Sequence, residues 1–445
     1  MILELLIVIA ILSIVSIIIF KRDFLAPSVL LTLSFFVSTL CAYLNSKKWN
    51  FSNPLLLFVV VIGLVSFIIF SFIIFFFDSK SKKKPIPIFV NEIKISEYKL
   101  CIYLIFQIVL YIFAIFYMMK NTGIGLSLQN LSNIIGNYYE ANRGGMTKYS
   151  SQLVSLAQIL NTSGIYILLF VAINNVVSTK KNHMLLYINI VVGILGSTLD
   201  GTRTAVFMYI IGAMVMYIAI INKKSGWKKN IKVLFVVKLL VLLIISIYLF
   251  VLLGSLQGRS LADVSVVDVI SSYLGAPIKN LELFLNEYRV PTGTFGGETF
   301  MSTYNWLYSK TGNVTYNIQS LYQYRWMDGE GIGNVYTIFM PIYNDFGIYG
   351  VFIILGMMGI ISQKIYDSIK FRKFSGVIDY VVIIYSYVAF AVMFSFFSNK
   401  FFELVISITL IYFIIGLLFF DFIFFKLHIR NSIICINKYK VFRRK

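Results

Sequence analysis

Charged side chains that could serve a transfer reaction occur in a short turn, residues 197–204, and in or just after one long polar stretch, residues 254–333. Arginines occur at Arg203, Arg259, Arg289 and Arg325, and Asp200 lies three residues before the first of them. A guanidinium offers planar, bidentate donors that match phosphate oxygens, and helix N–H groups near Arg203 would add to an anion site. Two or three converging arginines would therefore stabilise a diphosphate leaving group without a metal ion. Two alternatives stay open, because Asp200 can pair with Arg203 and loop arginines are commonly solvated.

Two carboxylates in the same part of the chain are candidates for the base of such a reaction. A hydroxyl group that attacks carbon must lose its proton to a group within hydrogen-bond reach, and Asp345 and Glu298 offer carboxylates there. Asp345 lies among aromatic residues at the start of an apolar segment, a setting that suits a base. Each residue also has a structural alternative, because Asp is favoured as a helix cap and Glu298 can be the first-turn acid of a helix.

The elements that must position these side chains are membrane-spanning helices. The 445-residue chain is 59% hydrophobic and only 13% charged, and apolar runs long enough to cross a ~30 Å hydrocarbon core recur along it. We predict an all-α, polytopic membrane protein with about eleven transmembrane helices. The predicted spans cover residues 2–20, 24–44, 54–77, 100–119, 153–177, 184–199, 204–221, 233–253, 346–365, 377–397 and 402–425, and the ninth can begin as early as residue 335.

The distribution of Lys and Arg predicts the orientation of these spans. Cytoplasmic loops retain positive charge, and the densest basic clusters, 80–84, 223–232 and 426–445, fall on the inner side if the N-terminus is outside. The net charge of +20 then reflects a basic inner face that attracts anionic membrane lipid. No basic stretch belongs to a recognisable nucleic-acid-binding domain, so a nucleic-acid partner is not expected. The three cysteines form no spaced pair, and we predict no disulfide, metal site or cofactor.

The long polar stretch, residues 254–333, separates the eighth and ninth spans and is predicted to face outward. Its length, its aromatic residues and its helical periodicity exclude a disordered linker. The periodicity predicts an amphipathic helix over residues 264–286, kinked at Pro277, which can lie along the membrane surface. A second helix is predicted over residues 298–309. Tyr and Trp side chains in this stretch suit either sugar stacking or anchoring at the interface.

The chain therefore divides into four predicted regions. Residues 1–253 hold the first eight spans, residues 254–333 form the large outer loop, residues 334–425 hold the last three spans, and residues 426–445 form a basic cytoplasmic tail.

Short motifs around the outer loop carry a family resemblance. They are Tyr273-Leu-Gly-Ala-Pro277 with Asn280, then Asn334-Val-Tyr-Thr337, which includes Tyr336, and Tyr343-Asn-Asp-Phe-Gly347, together with the turn Gly201-Thr-Arg203. They resemble motifs of the Wzy-type oligosaccharide repeat unit polymerases of O-antigen and capsule assembly. The resemblance spans roughly residues 196–350 and includes the late outer loop.

The resemblance implies a metal-independent membrane glycosyltransferase of GT-C-like fold in the bacterial inner membrane. Such enzymes transfer a growing glycan from undecaprenyl diphosphate to the next lipid-linked repeat unit at the periplasmic face. The substrate is an undecaprenyl-diphosphate-linked oligosaccharide, and a polysaccharide co-polymerase that sets chain length is an expected partner. By the same resemblance, Asn334, Tyr336 and Thr337 would contact sugar or phosphate, and Tyr273 and Asn280 would line the substrate site.

Two other functions fit the same sequence. A lipid-linked oligosaccharide flippase or another secondary transporter would also be polytopic, although carriers often have repeated halves and charges at mid-membrane, and no repeat is evident here. An O-antigen ligase-like glycan transferase would share the outer loop and the arginines, so only its product would separate it from a polymerase.

Overall fold

The computed structural model describes residues 1–80, 85, 90–123, 125, 133–137, 152–178, 183–200, 204–227, 266–287, 293–319, 322–327, 329–372, 376–430 and 433–436. The α-helices whose bounds are used below are α1 Ile2–Ile19, α2 Pro27–Leu44, α3 Leu55–Lys80, α4 Glu97–Thr122, α5 Gln152–Ser178, α6 Met184–Gly196, α7 Thr204–Ser225, α8 Val266–Leu285, α9 Met301–Thr311, α10 Phe339–Phe371, α11 Tyr380–Met393, α12 Lys400–Leu404 and α13 Ile408–Asp421. Two antiparallel hairpins pair β1 Arg325–Met327 with β2 Glu330–Gly333, and β3 Leu427–Arg430 with β4 Ile433–Ile436.

The long helices confirm an all-α, multi-pass membrane protein. In the described part of the chain, 8 helices are long and apolar enough to cross a membrane, and two shorter apolar helices cover 184–199 and 380–396. Together they coincide with ten of the eleven predicted spans. The remaining one, residues 233–253, lies outside the described residues, so the count of eleven stays a prediction.

The contacts divide the chain into two compact units. The first contains residues 1–85, 263–371 and 387–410, and the second contains residues 86–262, 372–386 and 411–445. The described residues among the predicted site belong to the first unit, with the exception of Asp200.

The first unit is built on close packing between α3 and α10. A methyl group added at Gly359 would lie 2.7 Å from the carbonyl oxygen of Phe67, so only a glycine permits this approach. The Ser66 hydroxyl donates a hydrogen bond to the Phe352 carbonyl oxygen at 2.5 Å. Small residues that let backbones approach are the common means of packing helices in membranes.

The two helices run parallel, which fixes the two ends of the first unit. At their C-terminal ends, Lys364 pairs with Asp78 at 3.1 Å. Beside them the loop after α1 contributes Asp23, which accepts hydrogen bonds from Tyr366 and Lys370, both at 2.6 Å. The N-terminal end of α3, and the part of α10 that follows residue 347, therefore begin toward the opposite end of the unit.

Helix α10 is broken near its start. Gly347 has φ 65° and ψ −160°, which is not helical, and a left-handed φ favours glycine. A methyl group added at Gly63 would overlap the ring of Phe339 and lie 3.1 Å from Cγ1 of Val351. In a straight helix these two residues would be about 18 Å apart, so residues 339–346 bend sharply away from the rest of α10.

The first helix of the outer loop is confirmed, with α8 covering most of the predicted range 264–286. It packs on α2, where a methyl group at Gly275 would lie 2.7 Å from the backbone nitrogen of Ala42. The Ser38 hydroxyl also donates to the Leu274 carbonyl at 2.7 Å. The helix is therefore part of the first unit's core. The second helix, α9, begins at Met301, so the expectation that Glu298 starts it is wrong, and Glu298 lies in the preceding turn.

In the second unit, a buried polar network joins α4, α5 and α6. The Asn161 amide oxygen accepts from Tyr103 at 3.0 Å and from Gln107 at 3.1 Å. Its amide nitrogen donates to the Tyr111 hydroxyl at 2.7 Å, and Tyr111 donates to the Gly193 carbonyl at 3.1 Å. Inter-helical hydrogen bonds of this kind hold membrane helices together.

Candidate functional site

Asp345 holds the turn that carries Glu298. It lies two residues before the break in α10, and its carboxylate accepts hydrogen bonds from the backbone N–H of Thr299 at 2.7 Å and of Glu298 at 3.4 Å. On the other side, the Asn399 amide donates to the Thr299 carbonyl at 2.8 Å. The peptide at Glu298 and Thr299 is therefore clamped between the broken helix and the segment before α12. The two predicted carboxylates are neighbours.

Glu298 is fully buried in this turn. Both Glu298 and Thr299 are at most 1% exposed. Ring contacts seal the turn, since Phe300 packs edge-on against Phe402 at 5.3 Å between centroids. A carboxylate that is buried where several segments meet is a candidate for function.

Tyr322 lies within the field of three carboxylates. Its residue is half-buried and its hydroxyl is buried. Burial raises the pKa of Tyr322 well above its usual value, and the negative charges of Glu403, Glu298 and Asp345 raise it further. The phenol therefore stays protonated at neutral pH. It can donate or accept a hydrogen bond, but it does not act as a base. Three segments of the first unit therefore lie near Tyr322. They are the 298–299 turn, the break in α10 and the region around α12.

Glu403 and its neighbour Lys400 were not among the residues that the sequence singled out. They pair with each other on α12, and each side chain is about a fifth to a quarter exposed. The sequence did contain a signal, because a carboxylate within a predicted apolar span is a functional hypothesis by default. Its convergence with Glu298 depends on tertiary contacts that the sequence alone does not reveal.

Arg325 forms part of a clamp at the start of β1. Its guanidinium donates to both carboxylate oxygens of Glu287, at 2.5 and 2.7 Å, and its Nε donates to the Tyr336 hydroxyl at 2.7 Å. The Tyr336 hydroxyl in turn donates to the Gln323 carbonyl at 3.0 Å. The hydrogen bonds that Arg325 donates to Glu287 raise the pKa of Arg325 above its usual value. A diphosphate would have to compete with Glu287 for this guanidinium.

Burial also raises the pKa of the Tyr336 phenol, and the adjacent Arg325 partly opposes that shift. Like Tyr322, this phenol stays protonated at neutral pH.

Several predicted substrate contacts are bonded to the protein's own backbone. The Asn280 amide donates to the Val335 carbonyl at 2.9 Å, and the Thr337 hydroxyl accepts from the Phe339 N–H at 3.2 Å, where it caps α10. Asn280, Tyr336 and Thr337 are all fully buried. Their observed role is to shape the segment that leads into α10, and direct contact with a substrate stays a prediction.

The two remaining predicted residues of the first unit, Tyr273 and Asn334, are half-buried. Asn334 is half-buried in the turn after β2. The Tyr273 ring stacks on Phe397, with centroids 6.0 Å apart and planes 13° from parallel. Tyr273 is thereby connected to the same 394–404 region that supplies Asn399.

Three of the four predicted phosphate-binding arginines are not among the residues that the structure describes. Arg203, Arg259 and Arg289 lie outside the described residues. Asp200 ends a short 3-10 helix, Ser197–Asp200, and its side chain also lies outside what is described. Within the described residues, no group of three or more His, Cys, Asp or Glu side chains is arranged to hold a metal ion.

Fold and site together define a multi-pass membrane protein whose first unit contains a cluster of three carboxylates, of which Glu298 is fully buried. No protein family model matches the chain, and no curated protein or solved structure matches it either. The function must therefore be argued from the residues of this cluster.

Proposed function

We propose that this protein is a metal-independent membrane glycosyltransferase that polymerises lipid-linked oligosaccharide repeat units. It would transfer the growing glycan from undecaprenyl diphosphate to the next lipid-linked unit at the periplasmic face of the bacterial inner membrane. The observation that carries the proposal is that Asp345 holds the turn of the buried Glu298, near the Tyr322 hydroxyl whose pKa these two carboxylates and Glu403 raise. Eleven spans and a GT-C-like architecture are part of the same proposal.

Glu298 is the proposed base. The acceptor hydroxyl forms a bond to the anomeric carbon, its proton passes to the Glu298 carboxylate, and the bond to the diphosphate oxygen breaks with its electron pair on the leaving group. Asp345 is the proposed positioning residue, because both of its oxygens accept hydrogen bonds from the backbone of Glu298 and Thr299. Tyr322 would donate a hydrogen bond to a substrate oxygen.

The leaving diphosphate is assigned to arginines outside this cluster. Planar guanidinium groups stabilise developing phosphate charge without a metal. Arg203, Arg259 and Arg289 are the proposed residues, and Arg325 would serve only by giving up its contact with Glu287. The negative carboxylates of the cluster repel a diphosphate. We therefore assign proton transfer to the cluster and stabilisation of the leaving diphosphate to the arginines.

The position of the cluster along the membrane supports the outward orientation. The Asp23, Tyr366 and Lys370 contacts mark one end of the first unit, and the Asp345 cluster lies toward the other. The Lys and Arg distribution puts the first of these ends on the cytoplasmic side. The carboxylate cluster would then face the periplasm, where lipid-linked repeat units are polymerised.

Deletion and complementation in the source bacterium test the proposal. Deletion of the gene should leave only single repeat units attached at the cell surface. The wild-type gene should restore glycans of many lengths, which form a ladder on a gel. A Glu298→Gln variant should fail to restore it, whereas Glu97→Gln, a change at an exposed residue on α4, should succeed. Accumulation of single units on the inner leaflet would instead identify a flippase, and normal-length glycan that is not attached to its final acceptor would identify a ligase.

A further inference from the structure

An exposed aromatic side chain stands at the tip of the turn that carries Glu298. Phe295 is 78% exposed, although phenylalanine is among the residues most often buried. Its backbone is fixed, because the Tyr304 hydroxyl donates to the Phe295 carbonyl at 2.8 Å. Gly293 and Gly296, on either side, adopt φ values of 71° and 66°, which shape the turn. The ring is therefore held outward by a defined backbone.

One contact joins this ring to the broken helix. Phe295 packs edge-on against Phe346, with centroids 5.0 Å apart. Phe346 also lies against the first turn beyond the break, since a methyl group added at Gly350 would overlap its Cβ atom. Phe346 thus connects the tip of the turn to the part of α10 that crosses the membrane.

That part of α10 presents an exposed apolar face. The exposed residues recur at helical spacing and are Tyr349, Phe352, Ile353 and Met357, of which Tyr349 is 81% exposed. An exposed apolar stripe on a helix that spans a membrane contacts lipid. Phe295 and Phe346 extend this stripe beyond the break, toward the carboxylate cluster.

We propose that Phe295 inserts into the hydrocarbon edge of the bilayer and anchors the 293–300 turn to phospholipid acyl chains. The turn is then held by Asp345 and Asn399 on its polar side and by lipid on its aromatic side. The anchor places Glu298 at the boundary of the membrane, a few residues from hydrocarbon. The inference needs only the membrane-spanning fold and holds whether or not the proposed transferase activity is found.

Lipid quenching of a site-specific label tests the anchor. The full chain, with Cys41, Cys101 and Cys435 replaced by Ala, would carry a single bimane-labelled cysteine at Phe295→Cys and be reconstituted in phosphatidylcholine vesicles. Acyl chains brominated near the ester end should quench this label severalfold more than aqueous iodide does. Ile353→Cys, on the exposed face of α10, should behave in the same way.

A matched control comes from the same loop. Val314 is 75% exposed but lies in the short 3-10 helix Val314–Tyr316, beyond α9. A label at Val314→Cys should be quenched by iodide and little by brominated lipid. If the label at position 295 behaves like that at position 314, the anchor does not exist.

A second variant covers the case in which the cysteine-free protein does not fold. Phe295→Trp and Val314→Trp can be made in the otherwise unchanged chain, and each is compared with wild type in brominated and plain vesicles. The added emission of Phe295→Trp should be blue-shifted and lost in brominated lipid. Equal emission from the two variants in both lipids would overturn the proposal.

Discussion

Asp345 and Glu298 were both candidates for the base, and their contacts support different proposed roles. The Asp345 carboxylate accepts two backbone N–H groups, so in the proposed reaction it would act through the position of its neighbour. Glu298 is fully buried in the turn so held. The sequence placed both residues in the outer region but gave no means of ranking them. The ranking depends on contacts between residues 46 or 47 positions apart.

Substitution of the two carboxylates should separate these roles. Glu298→Gln should lower the rate of polymerisation by about 10²–10⁴-fold, because it removes the proton acceptor. Asp345→Asn keeps one acceptor oxygen and should lower the rate less, by about 10- to 150-fold, as expected for loss of one charged hydrogen bond of ~1.5–3 kcal/mol. Initial rates with a purified lipid-linked substrate measure both.

The pH profile of the residual activity supplies the control. If Glu298 is the base, Asp345→Asn should keep the acidic limb of the wild-type profile, whereas Asp345→Glu should recover part of the rate. A shifted acidic limb in Asp345→Asn would instead make Asp345 the base.

Tyr322 gives the molecule a specific sensitivity to alkali. Because burial and nearby carboxylates raise its folded-state pKa, the folded protein holds the phenolic proton more tightly than the unfolded chain does. Its contribution to stability is complete below the ordinary tyrosine pKa of about 10 and falls as pH rises above that value. Tyr322→Phe should therefore lose less stability than wild type between pH 9 and pH 11.

Thermal unfolding of the two proteins in detergent measures this difference. Other tyrosines and lysines titrate in both, so the quantity of interest is the change in the gap between the two melting temperatures with pH. A gap that stays constant across this range would contradict the buried, anion-surrounded position of Tyr322.

At the scale of helices, hydropathy and periodicity predicted most of the fold. Helix α1 was predicted over residues 2–20 and is Ile2–Ile19, and α8 was predicted over residues 264–286 and is Val266–Leu285. Long apolar runs and helical spacing are local properties of the chain. The break at Gly347 was missed, because the hydropathy of α10 continues through it. The start of α9 was placed three residues too early, because Glu298 suits a first turn.

The contact between α3 and α10 is predicted to be intolerant of added volume. Gly359→Ala should destabilise the protein by about 1–3 kcal/mol, since the new methyl would lie 2.7 Å from the Phe67 carbonyl oxygen, an atom of the backbone. Gly125→Ala is the control, because no described atom lies within 4 Å of a methyl group at that position. Unfolding by increasing SDS in mixed micelles measures both, and equal stabilities would contradict the packing.

The polar network of the second unit is predicted to stabilise its helices. Asn161→Leu removes a side chain that bonds Tyr103, Gln107 and Tyr111, and it should cost about 1 kcal/mol. Gln158→Leu makes the same chemical change about one turn earlier, at a half-buried site outside this network. The same SDS titration compares them, and a stabilised Asn161→Leu protein would contradict the network's role.

At the scale of the whole molecule, composition established the class of protein, and the charge distribution predicted its orientation. The parallel course of α3 and α10 agrees with the topology, in which both cross the membrane in the same direction. The arginine site for a diphosphate remains a prediction, because Arg203, Arg259 and Arg289 lie outside the described residues. Hydropathy is a local property of the sequence and predicts the spans directly. The candidate site is formed by residues far apart in the sequence, so no local pattern predicts the function equally well.

Polymerisation by the purified protein tests the proposed function most directly. Wild-type protein in liposomes would be incubated with undecaprenyl-diphosphate-linked repeat units isolated from the deletion strain, and the products would be separated by glycan length. We predict a ladder of multiple repeat units, formed in the presence of EDTA, together with release of undecaprenyl diphosphate. Glu298→Gln should give none, and Glu97→Gln should match wild type. Repeat units that stay single with wild-type protein, or a ladder that Glu298→Gln forms at the wild-type rate, would contradict the proposal.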